Sequence, residues 1–250
     1  MSSNPNARTA VTQGRRAAVT GAASGIGAAT ARLLQAQGWH VACLDRNLVG
    51  AHSTADANGM AIEVDVADEA SVVRAFDQAG KAWGGLDALV TAAGIINTTS
   101  FFDTTVAEFR KLFDINVIGS FLSVREGAKH MQRGARVCMV ASISSYTGGG
   151  YVARGAYATS KGAVLTLMKS CARELGPRGI AVNAVAPGFI DTPFVASAMS
   201  DPMRRKEVEA AVGKVGTAEQ IAECAAWLVS PAADFVHGET LIADGGILMR

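Results

Sequence analysis

The stretch Thr20-Gly21-Ala22-Ala23-Ser24-Gly25-Ile26-Gly27 follows a short apolar run, Ala17 to Val19, and precedes a segment with helical periodicity. This order predicts a strand, a glycine-rich turn and a helix. Gly21 permits a tight turn, Gly25 lets backbone amides approach a phosphate, and Gly27 allows the helix to pack against a sheet. The amino end of the helix offers free N–H groups and a positive dipole to an anion. The stretch therefore predicts a phosphate-binding loop.

An acidic residue, Asp45, follows the next apolar run, Val41 to Leu44. A loop, a helix, a strand and then an acid is the dinucleotide-binding order, in which the acid accepts hydrogen bonds from ribose hydroxyls. A carboxylate repels a 2′-phosphate, so NAD(H) is favoured over NADP(H). Arg46 is either a solvated loop residue or a contact to adenine or a phosphate. Asp65, with Val66 beside it, either contacts the adenine or forms a turn that caps the next helix.

Strand and helix patterns alternate along the rest of the chain. Strands are predicted at 17–19, 41–44, 61–64, 88–91, 136–141, 181–185 and 240–243, and helices at 28–37, 71–83, 106–117 (or as far as 131), 156–175 and 219–228. This alternation predicts an α/β fold with a doubly wound, central parallel sheet and helices on both faces. We expect a flexible tail over residues 1–13 and a single Rossmann-type domain over residues 14–250.

The composition argues against several classes of partner. The formal net charge of +1 offers no attraction to nucleic acid or to an anionic membrane. No apolar run approaches the length of a membrane span. Widely spaced cysteines, at positions 43, 138, 171 and 224, are expected to be buried thiols in a reducing compartment, which predicts a cytoplasmic protein. The histidines lack ligand spacing, so no metal is predicted.

A second chemically important stretch contains Tyr157 and, four residues later, Lys161. On a helix these side chains share a face, and a nearby cation is expected to lower the pKa of the phenol. Such a phenol can exchange a proton with an alcohol or carbonyl oxygen while a hydride moves to or from a nicotinamide. An exposed helix pair is the alternative. The glycine loop in the same chain favours the catalytic interpretation.

These motifs together resemble those of the short-chain dehydrogenase/reductase family, of the classical kind, over nearly all of the chain after the tail. The matching pieces are Thr20 to Gly27, Tyr157 to Lys161, Thr91-Ala92-Ala93-Gly94 (Thr where the family has Asn), Asn116, Pro187-Gly188 with Thr192, and Asp244-Gly245-Gly246. We expect the Thr91 hydroxyl to make part of the contact that the family's amide makes between strands.

The resemblance implies a role for each matching residue. Tyr157 is expected to be the general acid/base, and Lys161 to lower its pKa and bind the nicotinamide ribose. Asn116 is expected to hold a water that links Lys161 to solvent, to satisfy a bend in its own helix, or both. Ile190 and Thr192 are expected at the nicotinamide carboxamide. The other implied cofactor contacts are Gly21, Ser24, Gly25, Ile26, Gly27, Ala92, Ala93, Gly94, Pro187 and Gly188.

The family's substrate-binding serine has competing candidates here. Counting back from Tyr157 favours Ser144, whereas Ser142 lies at the end of the strand predicted at 136–141, and Ser145 follows both. Strand geometry fixes the direction of a side chain better than a glycine-rich loop does, so Ser142 is selected and Ser144 is placed in the substrate pocket.

Residues 189–213 are expected to form either a substrate lid, with Phe189 and Phe194 in the pocket, or a short helix near 203–212 packed on the body. The resemblance also implies a homotetramer, formed through the helix that carries Tyr157 and through the carboxyl-terminal strand. Residues 247–249 are apolar and are expected at such an interface.

The combined expectation is an NAD-dependent oxidoreductase of a small-molecule secondary alcohol and its ketone, with polyol, sugar or alicyclic substrates favoured. One alternative is a 3-oxoacyl-[acyl-carrier-protein] reductase, whose acidic carrier would meet Arg204 and Arg205, although Asp45 opposes the NADP(H) that this interpretation requires. A different class is a non-catalytic NAD(H) sensor or scaffold. The intact set of Asn116, Ser142, Tyr157 and Lys161 argues against it.

Overall fold

Seven parallel strands form the central sheet of the computed structural model, which describes residues 14–150, 152–196, 206, 210 and 215–249. The strand order is β3-β2-β1-β4-β5-β6-β9, and β7 pairs with β8 in a separate two-stranded sheet. The strands are β1 Arg16–Thr20, β2 His40–Asp45, β3 Met60–Glu63, β4 Leu86–Thr91, β5 Met131–Val140, β6 Ala181–Pro187, β7 Ile190–Asp191, β8 Gly216–Thr217 and β9 Thr240–Ala243. The tail predicted at 1–13 lies outside the described residues.

Helices cover both faces of the central sheet, which confirms the predicted doubly wound fold. They are α1 Gly25–Ala36, α2 Leu48–Thr54, α3 Glu69–Trp83, α4 Val106–Phe113, α5 Gly119–Lys129, α6 Ser144–Thr147, α7 Gly155–Leu175, α8 Pro193–Ala196 and α9 Ala218–Val229. Alternate residues of β1 enter different cores: Ala18 packs with α3, α5 and α7, whereas Val19 packs with α1 and α9. The apolar runs of the sequence are therefore strands that are buried on both sides.

The order of the strands reverses between β1 and β4, which are neighbours in the sheet although β2 and β3 separate them in sequence. Crossovers leave β1 and β4 toward opposite faces, and this opens a crevice at the carboxyl ends of these strands. The glycine loop follows β1, and residues 92–94 follow β4. The fold thus brings both predicted motifs to one edge of the sheet.

Several local features differ from the sequence-based expectations. A π-helical turn, Asp114–Ile118, interrupts the helix predicted from residue 106, and β5 begins earlier than predicted. Helix α2 was not predicted; it begins after Asn47, whose side chain accepts a hydrogen bond from the Gly50 N–H at 3.1 Å. The helix expected near 203–212 lies largely outside the described residues. Among the described helices, none has the length and apolar character that a membrane crossing requires.

Candidate active site

A cavity of about 860 Å³ opens along the carboxyl ends of the strands. Its wall includes every residue that the sequence assigned to a cofactor: Gly21, Ser24, Gly25, Ile26, Gly27, Asp45, Arg46, Asp65, Val66, Ala92, Ala93, Gly94, Tyr157, Lys161, Pro187, Gly188, Ile190 and Thr192. Residues that follow strands across the whole central sheet therefore converge on one cavity.

The glycine loop in the wall of this cavity tolerates no side chain at two positions. Gly21 has a φ of 71°, and a Cβ there would lie 2.7 Å from the Ala93 nitrogen. A Cβ on Gly27 would lie 2.1 Å from the Gly21 carbonyl oxygen. The loop consequently packs directly against the segment after β4 and against its own helix.

The amino end of α1 fits an anionic group. The Ser24 side chain makes no capping hydrogen bond, and the first turn of the helix contains no acidic residue. A Cβ on Gly25 would meet only the Thr192 side chain, at 3.7 Å, so the space beside the loop is open. Uncapped N–H groups at a helix amino end are typical of a pyrophosphate site, and these residues fit the phosphates of a dinucleotide.

The two acidic residues in the cavity wall are held by backbone amides. Asp45 accepts hydrogen bonds from the N–H groups of Ala23, at 3.0 Å, and of Asn47, at 2.8 Å. Each carboxylate oxygen keeps a lone pair for a further donor such as a ribose hydroxyl. Asp65 forms a turn by accepting from the Ala67 N–H at 2.9 Å. It does not cap the next helix, as one interpretation held, because Asp68 supplies the cap of α3.

Three largely buried side chains lie elsewhere in the cavity wall. Ser142 follows β5, whereas Tyr157 and Lys161 are one turn apart on α7; their exposed fractions are 8%, 7% and 5%. Ser142 and Tyr157 are joined by a side-chain hydrogen bond. The Lys161 ammonium donates to the Val140 carbonyl at 2.8 Å and lies 5.9 Å from the centre of the Tyr157 ring. Ser142 and Tyr157 can act together on one alcohol oxygen, with the Lys161 ammonium nearby.

Burial opposes the expected lowering of the phenol pKa by Lys161, which stays a prediction. Burial raises the pKa of Tyr157 to about 12, against the opposing effect of its hydrogen bond with Ser142. Burial also lowers the pKa of Lys161 to about 8. Removing each group from water disfavours its charged form.

The competing serines occupy different positions around this group. Ser142 bonds Tyr157 and also accepts from the Ser144 backbone N–H at 3.1 Å. Ser144 begins α6 and lines the same cavity. The hydroxyl of Ser145 is buried without a hydrogen-bond partner in the described part of the chain. Ser142 is thus the serine that reaches the phenol.

Asn116 lies behind the cavity wall rather than in it. Its carboxamide accepts from the Ile95 N–H at 2.8 Å and donates to the Ile95 carbonyl at 3.0 Å and to the Ser160 hydroxyl at 2.9 Å. The residue is fully buried within the π-helical turn. It therefore fixes the segment after β4 against α7, a structural role that differs from the expected satisfaction of a bend in its own helix. Its expected water relay stays a prediction.

The remaining wall forms an apolar compartment beside Tyr157. Ile96, Val152, Phe189, Val195 and Ile247 pack together there. Ile247 lines the cavity of its own chain, and its expected place at a subunit interface stays a prediction. The carboxylate of Asp244 directs this segment by accepting from the N–H groups of Gly246 and Leu248, at 2.9 and 2.6 Å.

Two more residues near this compartment can be compared with the sequence-based predictions. The side chain of Phe194, predicted in the substrate pocket, lies outside the part of the structure that is described. Arg154 lines the cavity and was not identified from the sequence. Its position three residues before Tyr157 was the available signal.

The Thr91 hydroxyl does not make the strand-bridging contact expected of it. It is buried at the end of β4 and has no hydrogen-bond partner among the described residues. The neighbouring Thr20 hydroxyl instead accepts from the Ala93 N–H at 3.3 Å. The shorter threonine side chain does not extend as far as a carboxamide.

A parallel sheet with a glycine loop at its switch point and a serine, a tyrosine and a lysine in the same cavity defines a nicotinamide-dependent oxidoreductase. The chain belongs to the short-chain dehydrogenase/reductase family. A family model described as enoyl-(acyl carrier protein) reductase matches residues 21–248.

Known proteins similar to this chain agree with that family. The cis-4-hydroxycyclohexanecarboxylate dehydrogenase of Sinomonas cyclohexanicum is 37% identical over 239 residues, which are 93% of this chain and 96% of the relative. The 2-(R)-hydroxypropyl-CoM dehydrogenase of Xanthobacter autotrophicus is 38% identical over 245 residues, with 92% and 97% covered. A crystal structure of a short chain dehydrogenase from Burkholderia cenocepacia in complex with NADP has a TM-score of 0.86 at 32% identity, covering 95% of this chain and 99% of that one. The chain is therefore an oxidoreductase of CH–OH groups, in a family that binds a nicotinamide cofactor.

Proposed function

We propose that the protein transfers a hydride between NAD(H) and a secondary alcohol or its ketone. The observation that carries this proposal is the convergence of Ser142, Tyr157 and Lys161 on a cavity whose wall also contains the glycine loop. A polyol, a sugar or an alicyclic alcohol is the favoured substrate. The apolar compartment beside Tyr157 and the similarity to a hydroxycyclohexanecarboxylate dehydrogenase support the alicyclic class among these.

The cofactor is proposed to lie along the cavity with its pyrophosphate at the amino end of α1. Asp45 binds the adenosine ribose, and Asp65 and Val66 lie beside the adenine. Ile190 and Thr192 hold the nicotinamide carboxamide and thereby select which face of the ring meets the substrate. The nicotinamide, when bound, accepts or supplies the hydride.

In this proposal, side chains of the protein transfer the proton and orient the substrate oxygen. Tyr157 takes the hydroxyl proton during oxidation and returns it during reduction. Ser142 hydrogen-bonds the same substrate oxygen and orients it. Lys161 binds the nicotinamide ribose, and its positive charge favours the phenolate form of Tyr157. Because both ionisable groups are buried, little water competes for the reacting oxygen.

The preference for NAD(H) rests on charge. A 2′-phosphate beside Asp45 would meet a carboxylate already held in place by two backbone N–H groups. Exposed Arg46 is the nearby group that would favour NADP(H). Since a related structure contains NADP, the two cofactors must be compared directly. Replacing Asp45 by Ala is expected to shift the preference toward NADP(H).

The oligomeric state and the cellular location of the protein are proposed from different observations. Half-exposed apolar side chains on α4 and α5, among them Phe109 and Phe121, and the half-buried edge strand β9 support a homotetramer. Light scattering that gives a monomer mass would contradict it. The described cysteines are all free, which fits a reducing compartment such as the cytoplasm.

The test is turnover of purified protein with secondary alcohols and ketones, each with NAD(H) and with NADP(H). The panel contains polyols, cyclohexanols, hydroxycyclohexanecarboxylates and a 3-oxoacyl thioester. Oxidation of cyclic alcohols with NAD is the expected result. Reduction of the thioester alone would favour the second candidate, a 3-oxoacyl-[acyl-carrier-protein] reductase, which is supported by a 30% identical relative of that name. Tight NAD binding without any turnover would favour the sensor interpretation.

A further inference from the structure

The charged side chains in the cavity wall form two groups, one at each end of the cavity. Asp45, Arg46 and Asp65 lie at the ends of β2 and β3, where the adenosine is proposed to bind. At the opposite end, the Lys161 ammonium is buried and donates to a backbone carbonyl. Arg154 is the remaining cation of this end among the described wall residues, and no described acidic residue accompanies it there.

The backbone places Arg154 next to Tyr157. Arg154 is the N-cap of α7, with φ −112° and ψ 179°, and Tyr157 is the third residue of the helix. Side chains at these two helix positions are neighbours, as in a capping box. The Arg154 N–H donates to the Asn97 carbonyl at 3.3 Å, which anchors this start of the helix. The Arg154 side chain therefore begins close to Tyr157, whose phenol is proposed to meet the substrate.

The guanidinium is free to bind a ligand. Arg154 is exposed, and within the part of the chain that the structure describes it forms no ion pair with a carboxylate. The amino end of the 21-residue helix adds a positive potential at the same place. Both charges favour an anion, and a guanidinium matches the two oxygens of a carboxylate.

We propose that Arg154 binds an anionic group of the substrate, so that the protein acts on hydroxy acids. The substrate then has an apolar body against Ile96, Val152 and Ile247, a hydroxyl at Tyr157, and a carboxylate at Arg154. This inference rests on the proposed function and adds the charge of the substrate to it. Arg154 acts as a specificity residue and takes no part in proton or hydride transfer.

The test compares a hydroxycyclohexanecarboxylate with its uncharged carboxamide, which has nearly the same shape. Parent, Arg154→Gln, Arg154→Lys and Arg173→Gln are assayed with both compounds. Arg173 is an exposed arginine at the other end of α7 and serves as the matched control. Thermal melting of each variant establishes that it is folded.

The parent is expected to prefer the acid, and Arg154→Gln to lower kcat/KM for the acid by roughly 10- to 100-fold, mainly through KM, as the loss of a charge-assisted hydrogen bond predicts. With the amide, the same variant should stay within about 3-fold of the parent. Arg154→Lys should restore part of the loss, and Arg173→Gln should match the parent. Turnover of both compounds without a preference, or equal losses with both in Arg154→Gln, would overturn the assignment of Arg154 and leave the proposed function intact. Failure of every alcohol to react would overturn the proposed function, and this inference with it.

Discussion

Ser142 and Tyr157 share a side-chain hydrogen bond, although one follows β5 and the other lies on α7. Both side chains are more than nine-tenths buried. A hydroxyl bonded to a phenol inside a cavity provides two groups that can hold one substrate oxygen. This pairing is the geometric basis of the proposed proton transfer.

Replacing Ser142 by Ala should lower kcat/KM for alcohol oxidation by on the order of 100-fold, because one of the two groups that hold the substrate oxygen is lost. Ser144→Ala is the matched control, since it removes a hydroxyl from the same wall two residues away. We expect it to change kcat/KM by less than about 5-fold. The reverse order of effects in steady-state assays would assign the substrate contact to Ser144.

The two directions of the reaction should depend differently on pH. Burial raises the pKa of Tyr157 to about 12, so the phenol is protonated at neutral pH and is ready to act as an acid. Ketone reduction should therefore be nearly constant from about pH 6 to 9, whereas alcohol oxidation, which needs the phenolate, should rise over the same range. Lys161→Met should move that rise to higher pH. Identical profiles for both directions would contradict this assignment.

Lys161 should reduce the stability of the cofactor-free protein. Burial lowers its pKa from 10.5 to about 8, so the unfolded chain binds more protons than the folded protein between these values. The free energy of unfolding should consequently rise with pH above about 8, until ionisation of Tyr157 in the unfolded chain opposes it above about 10. At pH 7 the buried charge costs roughly 3 kcal/mol. Lys161→Met should be more stable than the parent in urea at pH 7, and its free energy of unfolding should not rise with pH above about 8. A variant that is less stable at pH 7 would show that the buried charge of Lys161 is not destabilising.

Replacing Thr91 and replacing Thr20 by Val should change the free energy of unfolding in opposite directions. The Thr91 hydroxyl is buried without a partner in the described structure, so Thr91→Val should raise the free energy of unfolding by about 1 kcal/mol. Thr20 is equally buried, but its hydroxyl accepts from the Ala93 N–H. Thr20→Val should lower the free energy of unfolding by about 1 kcal/mol. Chemical denaturation of both variants gives the comparison, and a destabilised Thr91→Val would indicate a partner for that hydroxyl.

Local spacing accounts for what the sequence predicted well. The glycine loop was recognisable because its strand, turn and helix are consecutive, and Tyr157 and Lys161 because one helical turn separates them. The apolar runs predicted parallel strands, which the sheet confirms. The positions of Ser142 and Asp45 followed from the same reasoning, since each comes at the end of a strand. Their catalytic and binding roles remain predictions.

Features that depend on contacts between distant segments were not predictable. Asn116 meets Ile95 and Ser160 only because a π-helical turn, which has no clear sequence signal, brings its carboxamide to them. The raised pKa of Tyr157 arises from burial by the whole fold. Ile247 enters the cavity because hydrogen bonds to Asp244 turn the carboxyl-terminal segment. Each of these is set by tertiary structure rather than by neighbours in sequence.

The central claim is that Tyr157 exchanges the proton of the substrate. The most direct measurement compares parent and Tyr157→Phe, following NADH formation with a reactive secondary alcohol and measuring NADH binding by fluorescence. We expect kcat to fall by on the order of 100- to 10,000-fold while the dissociation constant for NADH changes by less than about 3-fold, because only the phenolic oxygen is removed. A variant that binds NADH normally and retains most of the parent's turnover would contradict the claim.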